Sequence, residues 1–76
     1  MENNYKKYAA IHYGSNGWDF CRSDDFVFPD GGHKVLFDKL SDALIVAENW
    51  ENENGDEVWV CGVIDKYPYY EKVVKI

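Results

Sequence analysis

One stretch of the chain repeats its apolar residues at helical spacing, DKLSDALIVAENWENENG from Asp38 to Gly55, and this limits the fold more than any other feature. At about 100° per residue, Leu40, Ala43, Leu44, Val46, Ala47 and Trp50 fall on one broad stripe suited to packing on a sheet. Asp38 or Ser41 is placed to cap the start, and Asn54-Gly55 to stop the helix. Ile45 falls off the stripe, among Asp42, Glu48, Asn49 and Asn52.

The flanking segments read as strands. KKYAAIHYGSNGWDFCRS contains Asn16-Gly17, the pair that most readily takes the two positive φ values of a type I′ turn, between strand-like residues. With Ser15 opposite Trp18, Tyr13 faces Phe20, Ile11 faces Arg22 and His12 faces Cys21. Ile11, Tyr13, Trp18 and Phe20 are then the expected core face of this hairpin. DDFVFPDGGHKVLF repeats the logic more weakly, as a shorter hairpin or a loop carrying an edge strand around Pro29-Asp30-Gly31-Gly32. EVWVCGVI is apolar on both pleat faces and suits a central strand. Tyr67-Pro68 marks a turn, because the residue before proline is pushed out of the helical region, and YYEKVVKI closes the chain as a last antiparallel strand.

The expected fold is therefore α+β: an antiparallel sheet of about four strands with one helix across it, in the order β-β-(short β)-α-β-β. Residues 1–76 make a single compact domain. A chain of this size buries only roughly 60 to 65% of its unfolded surface, so its three Trp, six Tyr and four Phe must supply much of the core. The expected core is Trp18, Phe20, Leu44, Ala47, Trp50, Val58 and Val60. No stretch approaches the roughly 18 apolar residues of a membrane span, which leads to the expectation of a cytoplasmic protein.

Charge is unevenly placed. Asp38, Asp42, Glu48, Glu51, Glu53, Asp56 and Glu57 stand against Lys39 alone, a local net of −6, which is the net charge of the whole chain. Direct nucleic-acid binding needs a basic surface that displaces counterions from phosphate, and this balance argues against it. A basic protein surface, or a groove that normally holds nucleic acid, is the suited partner.

Chemistry finds little material. His12 and Cys21 as cross-strand neighbours would be the minimum for a thiolate nucleophile, but no third group orients them. Cys21 and Cys61 show neither zinc spacing nor a disulfide framework and read as two reduced thiols. His33, near Asp30, lacks further metal ligands at suitable spacing. Gly31-Gly32 lacks the Lys-Ser/Thr pair of a phosphate loop. ENENGDE has oxygen ligands around Gly55, but a twelve-residue calcium loop with that glycine sixth would begin at Trp50 and end at Cys61. The expectation is a protein that is not an enzyme and uses no cofactor.

FDKLSDALIVAENW followed by GDEVWVCGVI resembles, over residues 37–64, a pattern of small phage-encoded inhibitors of host machinery, of the anti-CRISPR type or a phage inhibitor of bacterial RNA polymerase. The shared pattern is a helix opening with an acid-flanked AL..A stripe, ending in Trp, then a strand. Ala43, Leu44, Ala47 and Trp50 match it as core; no functional residue carries over, and the hairpin around Asn16-Gly17 and the last strand lie outside it. The resemblance implies function by occlusion: a compact acidic protein covers a basic surface of a host nucleic-acid-handling machine, a protein or ribonucleoprotein. The alternative is a bacterial accessory or housekeeping domain with another partner. In either case the expected partner-binding surface is Asp42, Ile45, Glu48, Asn49, Glu53 and Asp56.

Overall fold

The computed structural model describes residues 5–64 and 70–76. Five elements follow in the order β1 (Lys7–Gly14), β2 (Gly17–Phe20), α1 (Leu40–Asn54), β3 (Glu57–Val63) and β4 (Tyr70–Lys75). The strands form one antiparallel sheet, β2-β1-β3-β4, and α1 packs on β1 and β3. The α+β fold expected from the pattern is the fold observed, with EVWVCGV in the interior of the sheet. Tyr67-Pro68, read as the turn before the last strand, lies outside the described residues. Among the described residues no helix is long and apolar enough to cross a membrane.

Under the helix lie Tyr8 and Ala10 of β1, Val58 and Val60 of β3, and Ala43, Val46 and Ala47 of α1, joined by Cys21 and Phe37. Alanines at three of these positions let the helix backbone approach the sheet closely. Phe37 is fully buried and also serves the backbone: it exchanges hydrogen bonds with Tyr8 at 2.7 and 2.8 Å, pairing the start of β1 where short β2 does not reach. The preceding segment makes one further bridge, Val27 with His33, around a turn in which Gly31 takes φ +96° and Asp30 Oδ1 accepts from the Gly32 N–H at 3.0 Å. It is a minimal hairpin beside the sheet.

The first hairpin departs from its expected register. Tyr13 faces Trp18, Ile11 faces Phe20 and His12 faces Asp19, with Gly14 opposite Gly17, whereas Cys21 donates its N–H to Ala10 O. Among the described residues no non-glycine has positive φ, so Asn16 does not take the conformation a type I′ turn needs; Gly17 alone does, at +90°. Ser15 and Asn16 thus make a two-residue turn without the positive φ values of type I′, and Gly17, which pairs with Gly14, is its left-handed residue. The shift is by two residues, so Ile11, Tyr13, Trp18 and Phe20 still share a face. That face is the one without the helix: Tyr13 is 51% and Trp18 44% exposed. Alternation identifies which side chains go together, and the helix decides which set is covered. The expected core is corrected accordingly. Ala47, Val58 and Val60 are buried, Leu44 and Trp50 pack at the core edge, Phe20 is half-buried on the other face, and Trp18 is not a core residue.

Helix entry also differs. Lys39 occupies the cap position without a side-chain hydrogen bond, because Asp38 turns away to pair with Lys7, and Ser41 lies inside the helix. The stop is as expected: Gly55 adopts φ +71° and its N–H donates to Glu51 O at 2.8 Å.

Candidate functional site

Helix geometry sets the outward side of α1. With Ala43, Val46 and Ala47 fully buried, Ile45, Glu48 and Asn49 project from the opposite side, with Asp42 and Glu53 at its margins. Ile45 is 44% exposed, and Glu48, Asn49 and Glu53 are exposed around it. Among the described residues none of Asp42, Glu48 and Glu53 forms an ion pair. The last helical turn carries no base, and Glu51 and Glu53 stand near its end. There the unsatisfied carbonyls make the macrodipole negative, so an acid costs about 0.3 to 1 kcal/mol where a base would stabilise. Local stability therefore does not account for these acids.

Asp56 stands apart from the other five. Its Oδ2 accepts a hydrogen bond from Trp50 Nε1 at 3.1 Å and lies 3.2 Å from His12 Nδ1. That buried nitrogen completes no hydrogen bond among the described residues. The His12 ring stacks on Trp50 with centroids 4.4 Å apart. Asp56 thus ties the end of the helix to β1 and contributes less to the outward charge than its place in the sequence implies.

The residues weighed for catalysis do not come together as expected. His12 faces Asp19 across the strand pair, and Cys21 is sealed in the core. Burial, helped by the Asp56 carboxylate, pushes the Cys21 thiol up to about 12, and burial also raises Cys61. A thiolate nucleophile needs the opposite shift. His33 pairs with Asp24 at 3.0 Å on the surface. Among the described residues no three of His, Cys, Asp and Glu gather to hold a metal ion.

A second surface was missed as a surface. Tyr13, Trp18, Phe20, Trp59 and Tyr70 share the helix-free side of the sheet, over the fully buried cross-strand pair Ala9 and Cys61. Tyr13 packs on Trp18 and Phe20 on Tyr70, with centroids 5.1 and 5.9 Å apart. The signal lay in the sequence: four strands rich in aromatics and one helix leave a face of the sheet without a covering layer. Compared with family models, curated proteins and solved structures, the chain matches none, so both surfaces are judged from their own side chains.

Proposed function

We propose that the protein is a non-enzymatic binding module that lays the outward acidic face of α1 on a basic protein surface of a nucleic-acid-handling machine and blocks it by occlusion, as small phage-encoded inhibitors do. One observation carries the reading: among the described residues Asp42, Glu48 and Glu53 form no ion pair around exposed Ile45, and the last turn holds acids where the helix dipole disfavours them. Ile45 would supply a small apolar anchor, while the acids speed approach and select a basic partner. Nucleic acid itself is repelled by a chain of net charge −6.

The test is capture of the partner from a host lysate by wild type and by the double variant Glu48→Lys, Glu53→Lys. The variant should melt at or slightly above the wild-type temperature, because Glu53→Lys improves the dipole interaction. It should recover little of the partner, and its association should depend less on salt. Equal recovery by both proteins would remove the helix face from the function. A gel shift with DNA or RNA alone at low salt would count against occlusion as the mode of action.

A further inference from the structure

On the helix-free side of the sheet, two indoles clamp an ammonium. Lys72 Nζ lies 4.7 Å from the centre of the Trp18 ring and 4.8 Å from that of Trp59, and Trp59 Nε1 donates to Glu57 Oε2 at 2.8 Å, which fixes that ring. Beside the clamp is a cavity of about 220 Å³, lined by Ile11, Trp18, Asp19, Phe20 and Tyr70. Trp18 belongs to both.

We propose that this cavity seats the ammonium or guanidinium end of a basic side chain presented by the partner, with Lys72 the internal cation that competes for the shared Trp18 ring. Aromatic faces carry negative potential and attract cations, most strongly from Trp. The clamp on Lys72 is a direct instance in this protein of its rings selecting an ammonium. The Asp19 Oδ1 accepts the Phe20 N–H at 2.8 Å and its side chain alternates to the His12 side of the strand, so the rings of Trp18, Phe20 and Tyr70 carry the attraction for a cation. The like charge of Lys72 opposes an incoming cation, and its contact with Trp18 occupies part of the attraction. The site is therefore self-restrained, and removing Lys72 should strengthen it. The inference rests on the preceding reading only in taking the cation from a basic protein partner.

The probes need no partner. Tetramethylammonium chloride, acetyl-lysine amide and acetyl-arginine amide are titrated against the full chain, with tert-butanol as the uncharged near-isostere, sodium acetate as the anion and sodium chloride as the salt control. The indole N–H resonances are read by NMR. The three cations should shift the Trp18 signal, saturably and more than Trp50. Lys72→Met, an exposed change, should bind them about two- to fivefold more tightly, the ratio expected for one freed ring contact. Trp18→Ala, at a 44% exposed position, should lose the response while Trp50 keeps its native resonance. Equal binding of tert-butanol, preference for acetate, or no tightening in Lys72→Met would each overturn the proposal. These outcomes are independent of the lysate experiment, so failure here leaves the helix reading standing, and the reverse.

Discussion

Gly62 is the position at which a single methyl group tests the packing most directly. It faces the helix side of β3 opposite Tyr8, and the Tyr5 ring lies where a Cβ would go, with the near end of the ring overlapping it. Tyr5 is not free to swing aside at no cost. It packs on the core, meets Tyr8 edge-on at 5.9 Å and donates its hydroxyl proton to Glu71. Overpacking of this kind costs about 1 to 3 kcal/mol. Replacing glycine in a strand interior returns about 0.5 to 1 kcal/mol through the unfolded chain. Gly62→Ala should thus destabilise by about 0.5 to 2 kcal/mol, a fall of several degrees in Tm for a domain this small. The loss is capped by what Tyr5 contributes, since the ring can at worst leave its place. In a Tyr5→Ala background the sign should reverse, and Gly62→Ala should stabilise by the glycine term alone. Urea melts of the four proteins in a double-mutant cycle measure this coupling. An equal cost in both backgrounds would show that Tyr5 is not what requires glycine.

Two further predictions concern the turn and the core thiol. Gly17 has open space where a Cβ would stand but φ of +90°, so Gly17→Ala should cost about 1 to 2 kcal/mol in conformation alone, and Asn16→Ala should stay within about 0.5 kcal/mol; the opposite ranking in urea melts would restore the type I′ turn. Cys21 ionises near about 12 in the folded protein against 9.0 for the free thiol, so the unfolded chain releases the proton first and stability falls as pH rises through that window. Between about pH 8 and about pH 10.5 the urea midpoint of wild type should drop more than that of Cys21→Ala, and equal drops would mean that the thiol takes no part.

How much of this was legible in the sequence follows from what each signal measures. The helix, its stripe and its Gly55 stop come from spacing and backbone conformation, which neighbours along the chain determine. The central place of EVWVCGV comes from apolar residues on both pleat faces. What was not legible depended on contacts far apart in sequence. Asp38 is a good capping residue, yet Lys7, 31 residues away, claims it. Trp18 is as apolar as any core residue, but short β2 lies at the edge of the sheet and the helix covers β1 and β3 from the other side. Phe37 gave no sign that it would complete the backbone pairing of Tyr8. For the candidate surface, helical phase alone places Asp42, Ile45, Glu48, Asn49 and Glu53. Asp56 follows the helix, where no periodicity fixes a side chain, and Trp50 and His12 draw it inward.

The two surfaces constrain each other. The outward side of α1 and the aromatic side of the sheet face opposite ways in a two-layer fold. No flat partner can touch both. A single partner engaging Ile45 with its ring of acids and also the cavity at Trp18 would have to enclose the protein in a cleft, with basic groups on both walls. A channel built to hold nucleic acid has that form and that sign. On the proposed reading, then, reversal of Glu48 and Glu53 and loss of Trp18 should weaken capture of the same partner, by amounts that add because the sites are far apart. Two different partners, each sensitive to one change only, would mean that the faces serve separate contacts and that occlusion of a cleft is the wrong picture.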